Sequence, residues 1–434
     1  MSNPNVVETA AQTAPKATIK KVSRACVIAF AVVFVLGIAA FAGLNYIADP
    51  YAFFAMERGD VVTNPHVENY KLMNAYTLAN EPSNTYTGII IAGSKGAVIS
   101  PAVLEHYTGY HYYQSNITYG NFDYYEQQIV YALQHQQIKH VVLHLSGLEV
   151  YVEEPSEESR HTPVVISGEP LWKDYFHYAF LGMNTAVDRL FDTKFDASKM
   201  TQKTELVNPT VREELDRIVK DAGRRAYHTR TDGTQESYEK YAKQYVLDYY
   251  GDYNWAVGQL FSWYEPDLIN KDACIATLQR IKNTCDAYGA ELTVILGSTF
   301  LTELYRYECP DYYDYIYQIA QICDLWDFSY FCDYNLNPYN FFNANHNLES
   351  IAVQMIMKMY GDELNDYGQL ITKDNVLEKM QERQRAYYEL QKEWQATGTI
   401  ALKGYDDPSN ISVLPNWVYD MDLTYQGANA DEGI

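Results

Sequence analysis

The chain has 434 residues, roughly two to three times the length of a typical domain, so it can bury a large core and carry insertions. It contains 56 acidic and 33 basic side chains, a net charge of −23. This charge argues against a nucleic-acid partner, because binding phosphates requires an excess of Lys and Arg. With 41 tyrosines and no long-range repeat, the sequence also excludes a wholly disordered chain and a coiled-coil or collagen-like architecture.

An apolar segment near the N-terminus is long enough to cross a membrane. Residues 25–48 contain no charged side chain, and as a helix they would extend about 36 Å, more than the roughly 30 Å of a bilayer's hydrocarbon core. Residues 1–24 carry four basic side chains and one acidic one, which is typical of a cytoplasmic flank. We therefore expect a single-pass protein of the cell membrane, with a cytoplasmic tail at 1–24, a transmembrane anchor at 25–48 and an extracytoplasmic main domain.

Two other interpretations of this segment stay open. Ala40-Phe41-Ala42 has the small-x-small form of a cleavage site, so the segment is alternatively a signal peptide that is removed. The apolar run continues to Ala48, beyond the usual length of a signal core, which favours the anchor. The third interpretation is a buried helix of a soluble domain, and the basic flank and the length argue against it.

The six cysteines show neither a CxxC pair nor a Cys/His spacing typical of a metal site, so we expect no metal and no cofactor. Cys274 and Cys285 lie three turns apart on one predicted helix, about 16 Å, which is too far for a disulfide between them. Any disulfide must therefore join different elements. We expect most of the cysteines to be small buried hydrophobic residues.

Strands and helices alternate after a polar connector at residues 49–87. The uninterrupted β-branched run in Gly88–Ala92 is typical of a central strand that is buried on both faces. The pattern that follows predicts a helix from Pro101, a strand at 110–117, a helix at Phe122–His135 and a strand at 141–143. This alternation indicates a parallel sheet in an α/β fold.

Residues 151–267 interrupt the alternation with acidic, tyrosine-rich sequence, which we interpret as a largely helical insertion. Its most helix-favouring segments are 172–191 and 238–250. The alternation then resumes with a helix at 272–288, a strand at 292–296, a helix at 311–323, a strand at 327–331 and a helix that contains Leu348, Ile351, Met355 and Met359.

A charged helix at 375–397 and an irregular tail complete the chain. The whole pattern predicts an α/β fold, a three-layer sandwich with a parallel central sheet and a helical insertion, at residues 88–361. The C-terminal helix and tail form a separate segment at 362–434.

Ser94 follows the first predicted strand of the sheet. Open parallel sheets bind ligands outside the carboxyl ends of their strands, so residues at these places are the first candidates for a functional site. The Ser94 hydroxyl would lie near the start of the next helix, where backbone N–H groups can stabilise an oxyanion. A serine in a strand-to-helix turn is common without catalysis, so this position alone carries little weight.

His346 lies just before the late amphipathic helix. Its imidazole has an ordinary pKa that suits a general base near neutral pH, and a loop at this place can reach a serine on another loop of the same sheet edge. Most of the ten histidines must be surface residues or satisfied core residues, which is the alternative for His346. Together, Ser94 and His346 predict a nucleophile and its base if the two loops meet.

One stretch of the sequence resembles the first block of the SGNH (GDSL-like) hydrolases, in their membrane-anchored bacterial branch. It consists of the apolar strand, the following Gly93-Ser94-Lys95 and then Pro101. That branch has Gly-Ser-Ser-Arg after the strand, and the match implies that Ser94 is the nucleophile. Residues 115–120 are similar to its next block, which implies that the backbone N–H of Gly120 forms an oxyanion hole with that of Ser94. The resemblance extends over about residues 25–361.

Three positions depart from the family pattern. Ala92 replaces a glycine, Lys95 replaces an arginine, and Asn343 stands where the family's Asp-x-x-His motif has the triad carboxylate. A carboxylate orients the imidazole and stabilises the imidazolium, whereas an amide supplies no charge, and the loss can reach about 10⁴ in rate. Three outcomes stay open: a Ser94–His346 dyad held by a backbone carbonyl, a triad oriented by Asn343, or a binding protein without catalysis. Asn is also common in helix-entry turns for reasons unrelated to chemistry.

Lys95 and Asn116 are candidates for substrate binding. Lys95 either pairs with an anionic group of the substrate or is solvated at a helix start, and we favour solvation. Asn116 belongs to the second block that resembles the family.

The resemblance implies an extracytoplasmic serine esterase or acyltransferase that acts on O-acyl groups of a cell-envelope glycan or polymer. The D-alanyl transfer protein of lipoteichoic acid synthesis and alginate O-acetylation factors are related, and by analogy they imply a multipass membrane acyltransferase as partner. The alternative is a catalytically inactive envelope scaffold or glycan-binding protein on the same fold, which Asn343, Ala92 and the surplus of tyrosine support.

Overall fold

The computed structural model describes residues 16–59, 70–117, 120–147, 149–150, 161–192, 268, 270–304, 308–337, 340–343, 346–347, 349–361, 367–398 and 400–401. The predicted helix at 238–250, most of the N-terminal tail and nearly all of the C-terminal tail lie outside the described residues.

Helices and strands alternate over most of the described chain. The helices are α1 (Lys16–Ala48), α2 (Phe53–Glu57), α3 (Tyr70–Asn80), α4 (Pro101–Thr108), α5 (Phe122–His135), α6 (Val164–Ser167), α7 (Trp172–Phe180), α8 (Met183–Phe191), α9 (Lys271–Tyr288), α10 (Leu301–Leu304), α11 (Pro310–Ile322), α12 (Glu349–Met359) and α13 (Val376–Thr397). The strands are β1 (Gly88–Ala92), β2 (Tyr112–Asn116), β3 (His140–Leu145), β4 (Glu291–Leu296), β5 (Leu325–Asp327), β6 (Phe341–Asn343), β7 (His346–Asn347) and β8 (Gln369–Ile371). A short 3₁₀ helix, Ser94–Val98, follows β1.

Six strands form one sheet in the order β2-β1-β3-β4-β5-β8. The first five are parallel, and β8 is antiparallel to β5. The order 2-1-3-4-5 is one of the common orders of doubly wound sheets, which bind ligands where the strand order reverses, here between β1 and β3. The prediction of an α/β fold with a mostly parallel sheet is therefore confirmed, and β8 is an antiparallel edge strand that was not predicted.

Two layers of helices enclose the sheet. α9 packs against α5 and α11, whereas α12 packs against α4. Right-handed crossovers place these two groups on opposite faces, because the chain runs outward from β1 to β2 and then back across β1 to β3, β4 and β5. The β1 residues between the layers are fully buried, as their uninterrupted apolar sequence predicts.

Two segments of the domain differ from the sequence-based expectation. The connector at 49–87 contains α2 and α3, whose apolar side chains are buried in a second core cluster. The strand predicted at 327–331 lies at Leu325–Asp327 instead, because the Asp327 carboxylate accepts the Ser329 N–H at 2.8 Å and turns the chain after Asp327.

Within the predicted insertion, the structure describes residues 161–192. The helix-favouring segment at 172–191 forms two helices, α7 and α8, with Gly182 between them at a φ of +60°. A positive φ suits glycine and interrupts the helical run here.

α1 is long and apolar enough to cross a membrane over residues Arg24–Ala48. A tight turn joins it to α2. Asp49 and Ala52 in this turn have φ values of 40° and 56°, in the left-handed region that non-glycine residues seldom adopt. The Asp49 carboxylate accepts the N–H groups of Phe54 at 3.2 Å and Ala55 at 2.8 Å, and so satisfies the first turn of α2. The turn is therefore fixed by hydrogen bonds.

A buried ion pair attaches α13 to the α/β domain. Arg383 Nε donates to Glu308 Oε1 at 2.6 Å, and both side chains are 1% exposed. The same guanidinium donates to the Ser329 carbonyl and lies 3.8 Å from Asp327 Oδ2. Burial raises the pKa of Glu308, and the charge of Arg383 acts in the opposite direction. Arg383 thus partly offsets the cost of burying the Glu308 carboxylate.

We expect Arg383→Met to lower the free energy of unfolding by about 3–5 kcal/mol, because it leaves the Glu308 carboxylate buried without its cation. Chemical denaturation of the full-length protein in detergent measures the change. Arg385→Met is the control, since Arg385 is exposed on the same helix, and we expect it to change stability by less than about 0.5 kcal/mol. Equal effects of the two substitutions would contradict a stabilising role for the pair.

Candidate functional site

Ser94 begins the 3₁₀ helix directly after β1 and Gly93. Gln114 of β2 holds this helix against the sheet, because its Nε2 donates to the carbonyls of Ala97 and Ile99, each at 3.0 Å. Glycine is required at position 96, where a Cβ atom would lie 2.3 Å from the Ala92 Cβ. The turn therefore packs directly on the strand and fixes the position of Ser94.

His346 lies on a short hairpin at the same end of the sheet. Strands β6 and β7 pair antiparallel, with Asn343 opposite His346. His346 Nε2 is 3.0 Å from Ser94 Oγ, although the two residues are 252 positions apart in the sequence. The structure thus brings together the two side chains that the sequence singled out, and it places His346 on a strand where a loop was expected.

The environment of His346 favours a neutral imidazole. Burial first, and the positive charge of Lys95 second, lower its pKa to about 4. The ring is therefore uncharged near neutral pH, which is the form that can accept a proton. A triad carboxylate would shift the pKa in the opposite direction, because it stabilises the imidazolium.

Lys95 is inside the domain, and the expectation that it is solvated is wrong. The side chain is 2% exposed, and its Nζ donates to the Ser146 carbonyl at 3.1 Å and to Thr299 Oγ1 at 3.4 Å. These acceptors follow β3 and β4, so the ends of two neighbouring strands supply oxygens that replace water around the ammonium. Their positions after the strands are the signal by which sequence reasoning could have found them.

A second imidazole, that of His144 on β3, is fully buried beside this lysine. Burial and the charge of Lys95 lower the pKa of His144 to about 3. Glycines make room for the ring, since a Cβ atom on Gly297 would lie 2.0 Å from His144 Nε2. Sequence reasoning missed His144 because it lies within a strand and not after one.

The predicted oxyanion donor, Gly120, lies next to the nucleophile turn. Its backbone nitrogen is 3.5 Å from the place that a Cβ atom of Gly93 would occupy, one residue before Ser94. A Cβ atom on Gly120 itself would lie 2.5 Å from Tyr125 Oη, so the close approach of the backbone requires glycine. Tyr125 is held in turn by Glu149, whose Oε1 accepts its hydroxyl at 3.1 Å.

The other two candidates are placed as follows. Asn116 ends β2, pairs with Ala92 and is fully buried, and its carbonyl accepts Asn74 Nδ2 at 3.5 Å. For Asn343 the structure describes the backbone, which ends β6 opposite His346. The structure therefore gives Asn343 a position next to the base and leaves its proposed orienting role a prediction.

Comparison of the chain with protein-family models, with curated proteins and with solved structures found no match in any of the three. In the described part of the chain, no group of three or more His, Cys, Asp or Glu side chains is placed to hold a metal ion.

We expect Lys95→Met to raise the pKa of His346 from about 4 toward the ordinary value of an imidazole, because it removes a positive charge that disfavours the imidazolium. The pKa of His144 should rise with it. Nuclear magnetic resonance of the protein with ¹³C-labelled histidine measures both titrations, and His346→Gln assigns the signal. Lys282→Met on the surface of α9 is the control and should leave both values unchanged; an unchanged His346 in Lys95→Met would contradict the electrostatic coupling.

Proposed function

We propose that the protein is an extracytoplasmic serine esterase or acyltransferase of the SGNH type. The observation that carries the proposal is the 3.0 Å distance between Ser94 Oγ and His346 Nε2, which is the nucleophile and base geometry of serine hydrolases. The doubly wound order of the sheet and the place of the two residues beyond the ends of its strands are consistent with it.

In the proposed reaction, Ser94 Oγ attacks the carbonyl carbon of an ester while His346 Nε2 takes the hydroxyl proton. The backbone N–H groups of Ser94 and Gly120 bind the oxyanion of the tetrahedral intermediate. When the intermediate collapses, the bond to the leaving alcohol breaks, and the alcohol takes the proton from Nε2. Water or an acceptor hydroxyl then attacks the acyl-serine by the same route.

The charge around His346 limits the rate of this reaction. Proton transfer to Nε2 produces an imidazolium close to the Lys95 ammonium, which destabilises it. The proposal is therefore a Ser–His dyad of lower intrinsic rate than a triad with a carboxylate. The same charge favours the rival function, a non-catalytic envelope scaffold or glycan-binding protein.

We further propose that α1 is an uncleaved anchor with its N-terminus in the cytoplasm, so that the domain faces the cell envelope. An O-acylated envelope glycan or polymer is the substrate class that this location supplies, and a multipass membrane acyltransferase is the proposed partner. The length and apolar character of α1 support the anchor.

We expect a fluorophosphonate probe to label the full-length protein at Ser94 and to fail with Ser94→Ala. His346→Gln should slow labelling by about 10²–10⁴-fold, because the serine loses its general base. The rate should also fall as the pH drops through about 4, where His346 becomes protonated. Mass spectrometry of the adduct and its rate of formation are the measurements.

Two exposed residues provide matched controls for this experiment. Ser83→Ala and His106→Gln remove the same functional groups at exposed positions, and both variants should react like the unmodified protein. Absence of labelling in protein that is folded by circular dichroism would reject the esterase and favour the scaffold.

A further inference from the structure

α7 and α8 expose a large apolar surface. Outside α1, the described residues include thirteen large hydrophobic side chains that are exposed, and eight of them lie between positions 171 and 191. They form what we call the α7–α8 face: Leu171, Trp172, Tyr175, Phe176, Met183, Val187, Leu190 and Phe191. Single exposed apolar residues are normal, but eight of them within 21 residues, on two helices that both pack against α1, mark a contact surface.

The polarity of α7 is reversed relative to a helix on a water-soluble protein. Trp172 and Phe176 face outward with 64% and 63% of their surface exposed, while Asp174 on the inner side is 1% exposed. The Asp174 carboxylate is satisfied inside, since its Oδ2 accepts the Val164 N–H at 2.8 Å and its Oδ1 lies 2.7 Å from His161 Nε2. A helix that places its acid inward and the rings of Trp172, Tyr175 and Phe176 outward fits surroundings that are less polar than water.

The α7–α8 face adjoins the end of the apolar span of α1. Both helices pack against α1, and the Phe180 ring lies 5.7 Å from the Phe41 ring. Since the span ends at Ala48, Phe41 is about 10 Å from its end along the helix axis. Amphipathic helices at membrane interfaces are buried to a similar depth of about 5–10 Å.

The turn after α1 holds α7 and α8 at this level. The Phe53 ring of α2 stacks on Tyr178 of α7 with centroids 4.5 Å apart. On α8, burial lowers the pKa of Arg189, and the negative charge of Asp49 acts in the opposite direction. The two helices are therefore attached to the base of the domain, next to the anchor.

We propose that the α7–α8 face is seated in the lipid interface of the membrane that α1 spans, on the side of the α/β domain. Tryptophan and tyrosine are enriched at this depth, and the face contains Trp172 and Tyr175. The chain is strongly acidic, so apolar contact and not attraction to anionic headgroups holds the face in the bilayer. This inference rests on α1 being a membrane anchor and is independent of the esterase chemistry.

Photo-crosslinking of the full-length protein in phosphatidylcholine nanodiscs tests the proposal. The photoreactive residue p-benzoylphenylalanine replaces Phe176 or Phe191 on the face, and Tyr288 or Tyr388 as matched exposed aromatic positions elsewhere. A fifth variant at Phe34 in the span of α1 reports on the anchor itself. We expect lipid adducts, identified by mass spectrometry, at positions 34, 176 and 191 and none above background at 288 and 388.

The outcomes separate the inference from the anchor on which it rests. A lipid adduct at 34 with cross-links from 176 and 191 to protein would show that another part of this chain or a second copy covers the face, and would overturn the inference alone. A lipid adduct at position 34 with no adduct at positions 176 and 191 would also overturn the inference alone. The absence of a lipid adduct at position 34 as well would contradict the interpretation of α1 as a membrane anchor.

Hydroxyl-radical footprinting of the unmodified protein in the same nanodiscs is a second test that requires no substitution. We expect Trp172 and Phe191 to be oxidised less than Tyr288 and Tyr388, although Trp172 and Phe191 are the more exposed in the protein without lipid. Equal or faster oxidation of Trp172 and Phe191 would show that water covers the face and would contradict the proposal.

Discussion

The candidate site depends on one constraint: the carboxyl ends of the neighbouring parallel strands are aligned at the same edge of the sheet. In the sheet register, Ala92 of β1 lies beside Asn116 of β2 and His144 of β3, and Leu145 of β3 lies beside Leu296 of β4. The residues that follow these strands therefore meet at one edge, whatever their separation in the sequence. Ser94 and the two acceptors of the Lys95 ammonium all follow these strands, and only the hairpin that carries His346 must be added from elsewhere.

Much of this arrangement was predictable because it depends on local pattern. Apolar runs without alternation marked the buried strands, and Gly289, which has φ of +67°, marked the end of α9. Ser94 was predictable because residues after parallel strands converge at one edge of the sheet. His346 was predictable as its base because a loop just before the late amphipathic helix can reach the same edge. The three-residue β8 carries too little sequence to show a period, and the two-residue β7 that contains His346 is shorter still.

The burial of Lys95 illustrates what sequence reasoning could not reach. A lysine at a helix start is normally solvated, and here the distant oxygens of Ser146 and Thr299 take the place of water around its ammonium group. The lowering of the His346 pKa by Lys95 is likewise a property of the folded site, because it depends on the distance in space between the two side chains, which their spacing in the sequence does not encode. The same charge bears on the proposed catalysis, because it disfavours the imidazolium form of His346.

The turn at Asp49 has a consequence for how closely the rest of the protein is held to α1. Four residues separate α1 from α2, and the Asp49 carboxylate fastens them to the helix that follows. Within the described residues, α2 follows α1 without a flexible linker and packs against α3 and α7 in the second core cluster. If α1 is the anchor proposed above, the domain is held close to the bilayer surface, so any molecule that it engages must be brought there.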